Sequence, residues 1–178
     1  MNNEPFSQSF WVKEGMLCAG HYPSDRNESA RSEKLNGLLD CGIQRVINLM
    51  EGHERNLIGE PFEDYSERLV QLASIRNIKS PKCFRIPLRD GRALTIEQMQ
   101  AVLMMIYDGI EHNIPTYIHS WGGHGRTGTA ICCYLIGKGK TAEESITQLL
   151  AWRDSLPRRH FPLENDQQSF IEQAHLWV

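Results

Sequence analysis

Long apolar runs are missing from this sequence of 178 residues. No stretch approaches the roughly 18 consecutive apolar residues of a membrane-spanning helix. The opening Met1 to Ser9 is too polar for a secretory signal, so the expected setting is cytoplasmic, with no membrane partner. An excess of one charge is missing too: the formal net charge is −3, with 23% charged residues. That excludes a global attraction to nucleic acid, and any anion site must be local. Cysteines at metal or redox spacing are absent. The five present (Cys18, Cys41, Cys83, Cys132, Cys133) are odd in number, include no CxxC, and mostly sit in apolar surroundings such as AICCYLI; they read as reduced core residues. His21, His53, His112, His124, His160 and His175 show no zinc-ligand spacing, so no metal is expected. Repeats, low-complexity tracts and composition breaks are lacking as well. One domain over residues 1–178, working as a monomer, is the expectation.

What is present is a mixed succession of strands and helices. Trp11 to Gly20 reads as a hairpin. Glu28 to Asp40 puts Leu35, Leu38 and Leu39 on one helical face, and the β-branched Arg45 to Leu49 follows as a buried strand. Glu63 to Arg76 reads as helix and Cys83 to Pro87 as strand. Thr95-Ile-Glu-Gln98 is a capping box opening a long helix to about Asn113. Thr116 to His119 is the next strand. The apolar run Thr129 to Ile136, a helix capped at Thr141-Ala-Glu-Glu144 and a last helix Asp166 to Trp177 complete the order. The class is α/β, a sheet flanked by helices.

Between strand Thr116–His119 and the following helix lies Ser120-Trp-Gly-Gly-His-Gly-Arg126-Thr127-Gly128. Glycines 122, 123 and 125 let the backbone curl so that N–H groups face one anion, and the helix N-terminus adds its positive dipole end. Arg126 supplies a planar two-pronged donor. Trp121, Gly122, Gly123, His124, Gly125 and Arg126 are therefore the expected phosphate-binding residues. The bland alternative is a glycine-rich turn before a buried helix. A Walker A loop and a dinucleotide fingerprint are excluded, because neither a Gly-Lys-Ser/Thr ending nor Gly-x-Gly-x-x-Gly is present.

His119, the five residues Trp121 to Gly125, Arg126 and Thr127 resemble the signature of the protein tyrosine and dual-specificity phosphatase superfamily: His-Cys, five residues, Arg, then Ser or Thr. Ser120 stands where that signature has cysteine. The resemblance implies a protein tyrosine phosphatase-like fold with a central, mostly parallel sheet. It also implies thiolate attack on phosphorus, a phosphocysteine intermediate and no metal or organic cofactor. It is strongest from about Phe84 to Phe170, and the earlier segments look like the small bacterial-type dual-specificity phosphatases. A serine hydroxyl keeps the size of the thiol but not its acidity, so binding should survive while hydrolysis fails.

Asp90, in Ile86-Pro-Leu-Arg-Asp-Gly91 after a strand, resembles the family's acid loop and is the expected proton donor; the local alternative is an Asp-Gly turn. Thr127 would assist release of the group at position 120, and His119 would tune it through backbone hydrogen bonds. Gln168 is the candidate for water or substrate contact. Arg89, Arg92, Arg158, Arg159 and His160 form either a basic rim or ordinary solvated charge. Lipid-directed members of the superfamily commonly carry lysines in this loop and this sequence has none there, so the resemblance implies phosphoprotein, phosphotyrosine first, over a phosphoinositide. Three readings stay open: a protein phosphatase in Cys-to-Ser substrate-trapping form, a natural pseudophosphatase that binds phosphate esters, and a phosphatase for an inositol, sugar or nucleotide phosphate. Retention of Asp90 favours the first over the second.

Overall fold

β-branched and aromatic side chains favour pleated, buried backbone, and Arg45-Val-Ile-Asn48 and Thr116-Tyr-Ile-His119 form neighbouring central strands. The structure is a computed structural model describing residues 4–90, 94–156 and 163–178. Its five-stranded sheet has the order β1-β2-β5-β3-β4, from β1 (Ser9–Lys13), β2 (Leu17–Gly20), β3 (Arg45–Asn48), β4 (Lys82–Arg85) and β5 (Thr116–His119). β2, β5, β3 and β4 run parallel, and β1 pairs antiparallel with β2 at the edge.

The described residues also form six α-helices: α1 (Glu28–Asp40), α2 (Ser66–Ile75), α3 (Ile96–Glu111), α4 (Gly125–Ile136), α5 (Ala142–Asp154) and α6 (Asn165–Gln173). Successive strand side chains point to opposite faces, which splits the core in two. Cys18, Val46 and Tyr117 pack with Leu35, Leu38, Leu69 and Ala73 of α1 and α2. Leu17, Ala19, Ile47 and Ile118 pack with Met99, Val102, Ile131, Leu149 and Ile171 of α3 to α6. The mostly parallel sheet flanked by helices is the architecture the sequence predicts.

The strand expected at Cys83 to Pro87 is Lys82–Arg85, the one expected to Leu49 ends at Asn48, and two helix boundaries move further. The helix expected from Glu63 begins at Ser66, because the Asp64 carboxylate accepts from the Ser66 N–H at 2.9 Å and ends the preceding loop there. The last helix changes after Gln173 into a 3-10 turn, Ala174–Leu176. Among the described residues no helix is long and apolar enough to cross a membrane.

Register positions the site. Gly20 and Asn48 both align with His119, and Asn48 aligns with Arg85. The loops after β2, β3, β4 and β5 therefore leave one edge of the sheet together, at the carboxyl ends of its parallel strands, where open α/β sheets gather their ligands.

Candidate active site

The loop after β5 carries Ser120 into α4. Gly123 adopts φ +65°, and a Cβ there would lie 2.6 Å from the Gly20 backbone, so only glycine fits this turn against the end of β2. The loop's carbonyls are held from outside: Tyr22 N–H donates to Trp121 O at 3.0 Å, and the Arg153 guanidinium donates to Gly123 O at 3.0 Å and also to His124 O. In a trans peptide the N–H opposes the C=O, so the amides of Gly122, His124 and Gly125 are turned to the other side, toward the cavity. α4 opens with no acidic residue in its first turn and no side-chain cap, which leaves its dipole end available to an anion.

Ser120, 2% exposed, has its Oγ 2.9 Å from Thr127 Oγ1. Behind it, fully buried His119 has Nδ1 3.2 Å from Ser120 O, and Nε2 is 2.6 Å from the Tyr65 hydroxyl. A carbonyl can only accept, so Nδ1 carries the proton and Tyr65 donates to Nε2. Burial lowers the His119 pKa to about 3, which keeps the ring neutral.

Arg126 is clamped end-on by Glu54, a residue the sequence reading did not single out. Nη1 meets Glu54 Oε1 at 2.5 Å and Nη2 meets Oε2 at 3.0 Å, while Nη1 also donates to Leu88 O at 3.1 Å. Glu54 and Leu88 thus leave the side-on fork, Nε–H with the second Nη2 hydrogen, turned away from themselves. Asp90, on the loop after β4, has its carboxylate 3.3 Å from Nε and therefore at the mouth of that fork.

These groups face one cavity of about 440 Å³, lined by Ser120, Arg126, Asp90, His21, Leu57 and Gln167 among others. Of the expected phosphate-binding residues Trp121, Gly122, His124, Gly125 and Arg126 line it, while Gly123 is turned against β2. Gln168 does not reach it. Its amide donates to Leu163 O at 2.9 Å, and its neighbour Gln167 takes the place, packed against Gly125. The physical reason is the cap of α6: Gln167 Oε1 accepts from the Glu164 N–H at 3.1 Å, which fixes the rotation of the helix. An adjoining depression of about 390 Å³ shares His21 and Trp121 with the cavity and reaches Arg31, Lys34 and Glu63. Arg89 is exposed; Arg92, Arg158, Arg159 and His160 lie outside the described residues.

Residues 7–169 match the family described as PTP-SAK, Swiss Army Knife protein, DSP-PTPase phosphatase domain. The chain belongs to this phosphatase domain family. Protein 067L of Invertebrate iridescent virus 3, named as a putative tyrosine phosphatase, is 24% identical over a match 177 residues long that covers 92% of this chain and 63% of that protein. The phosphatase domain thus spans less than two thirds of that relative's length. Among solved structures the active form of Tk-PTP superposes with TM-score 0.68 at 17% identity, covering 96% of this chain and 98% of that one. PTPMT1 in complex with PI(5)P gives 0.67 at 18%, with 95% of each chain covered. Kinase associated phosphatase with its catalytic-site cysteine substituted by serine gives 0.64 at 19%, covering 88% and 84%. All three share the fold of this phosphatase domain.

Proposed function

We propose that this phosphatase domain, as a single unit over residues 1–178, is built to hydrolyse phosphate monoesters on proteins, phosphotyrosine first, and that its Ser120 form holds such esters without turning them over. One observation carries the reading. The Ser120 hydroxyl, backed by Thr127, meets the side-on fork of Arg126 and the carboxylate of Asp90 at one cavity, and only a sulfur atom is missing.

With cysteine at position 120 the thiolate sulfur attacks phosphorus as the ester P–O bond breaks. The electron pair leaves on the ester oxygen, which takes the proton of Asp90. Water then attacks the phosphocysteine, gives its proton to the Asp90 carboxylate, and the S–P bond breaks to release phosphate. Arg126 and the loop amides hold the charge that develops on the transferring oxygens. Thr127 stabilises the departing sulfur, and neutral His119 holds the Ser120 carbonyl. Gln167 is better placed than Gln168 to orient the water. No step requires a cofactor. A serine hydroxyl is a far weaker acid than a thiol, so the first step stalls.

Leu57, 90% exposed at the cavity mouth, and Trp121 offer apolar walls to an aromatic leaving group. In the adjoining depression Arg31 pairs with Glu63 at 2.8 Å and Lys34 with Asp25 at 3.0 Å. That internal neutralisation supports a polypeptide over a polyphosphate, although relatives of the fold include PTPMT1 with PI(5)P and the yeast PP-IP phosphatase SIW14. The setting we propose is cytoplasmic and monomeric. Ser120 itself favours a second reading, a domain that only binds phosphate esters. The test is hydrolysis of an aryl phosphate and a phosphotyrosyl peptide by the Ser120 protein and its Ser120→Cys variant. Turnover by the variant alone supports the enzyme; silence from both leaves the binding reading.

A further inference from the structure

α5 buries one stripe, Ser145, Leu149 and Arg153, spaced by four residues and turned toward α4. Two of these suit a helix interface. The third is an arginine with 1% of its surface exposed.

Its guanidinium reaches the back of the phosphate loop, where Nη2 donates to Gly123 O at 3.0 Å and to His124 O. Gly128 makes the approach possible, since a Cβ there would collide with Nη2 and stand 3.0 Å from a Leu149 methyl. Among the described residues Nε and Nη1 have no hydrogen-bond partner and no carboxylate pairs with the group. A buried cation without a counter-ion is costly. This one also lies against the N-terminal turn of α4, the helix end where the dipole disfavours a positive charge. Burial lowers its pKa only to about 10, so it remains charged at neutral pH.

Such an arrangement makes sense when an anion occupies the far side of the loop. We propose that Arg153 is a positioning residue of the phosphate site: from behind, it holds the Gly123 and His124 carbonyls out of the cradle and keeps a permanent positive charge under the bound phosphate. The inference rests on the phosphate-cradle reading of the loop. It adds a second arginine to that site, one that never touches the ligand and acts through the peptide units it grips. Arg126 differs in having Glu54 as a resident counter-ion; the counter-charge of Arg153 arrives with the substrate.

The experiment is titration of inorganic phosphate into the Ser120 protein by calorimetry, beside Arg153→Met, Arg153→Lys and Gly128→Ala, with the loop amides followed by NMR. A hydrogen-bonded charge lost from a binding site weakens affinity roughly ten- to a hundredfold, and Arg153→Met should weaken phosphate by that factor and shift the Gly122 to Gly125 resonances. Arg153→Lys should recover part of the affinity through its charge. Gly128→Ala, which keeps the arginine and displaces its head group, should weaken phosphate in the same direction and serves if Arg153→Met does not fold. A folded Arg153→Met, or a Gly128→Ala with displaced amides, that binds phosphate within about twofold of the parent overturns the proposal. A parent protein that binds no phosphate overturns the cradle reading and this inference with it.

Discussion

Replacing Glu54 with glutamine removes the charge that holds Arg126 while leaving a side chain of nearly the same shape. In the structure both Glu54 oxygens meet the guanidinium, and the side chains are 11% and 3% exposed. Breaking a buried pair by removing one charge costs about 3–5 kcal/mol; the glutamine carbonyl still accepts from one N–H, so the lower end, about 3 kcal/mol, applies here. For a chain of this size that lowers Tm by roughly 6–12 °C. Phosphate at about a hundred times its Kd returns about 2.7 kcal/mol to any form that binds it. The Glu54→Gln protein should gain more than the parent, because the anion replaces the missing carboxylate beside Arg126. Thermal unfolding with and without phosphate reads both effects. A Glu54→Gln protein with a Tm within about 2 °C of the parent, equivalent to less than about 1 kcal/mol, would refute the clamp.

Asp90→Asn in the Ser120 protein should tighten phosphate about fivefold, since it frees Arg126 Nε and removes an exposed like charge worth about 1 kcal/mol; calorimetry checks it, and weaker binding would contradict the placement of Asp90 over the fork. His119 has a folded pKa of about 3 against an ordinary 6.5. Between these values the unfolded chain takes up the proton the folded one refuses, so this stability is full above pH 6.5 and falls on acidification by roughly 1.4 kcal/mol per pH unit. Urea titrations from pH 7 down to pH 4.5 should show His119→Asn losing that component of the slope. In the Ser120→Cys background Gln167→Ala should slow turnover at least tenfold while Gln168→Ala stays within about twofold, as expected if only the former reaches the reacting water. Thr141→Ala, which loses the Oγ1 acceptor 3.1 Å from the Glu144 N–H, should cost about 1 kcal/mol and roughly 2–4 °C in Tm.

Much of this was legible in the sequence where the pattern is local. Thr95 and Thr141 announce their capping boxes, and both are formed. The spacing of Leu35, Leu38 and Leu39 gives α1 its buried face. The Ser120 to Thr127 run, between a β-branched strand and an apolar helix, marks the glycine-rich passage from β5 into α4. The residues that escaped detection act across long separations. Glu54 lies 72 positions before Arg126 in a polar loop with no pattern of its own. Only the parallel register of β3 and β5 brings the two together. Arg153 left one trace, a position four residues after buried Leu149 on the same helical stripe, which a charged residue conceals. Gln167 and Gln168 are adjacent and chemically identical, so the cap at Glu164, rather than their identity, decides which one faces the cavity.

The proposed function makes position 120 a nucleophile site from which one sulfur atom is missing. Rapid quenching of Ser120→Cys, Asp90→Asn protein mixed with an aryl phosphate, followed by mass spectrometry of its peptides, tests this most directly. A phosphoryl group on residue 120, absent from the Ser120 protein under the same conditions, is the predicted result. An unmodified residue 120, with the phosphoryl group elsewhere or nowhere, would contradict it.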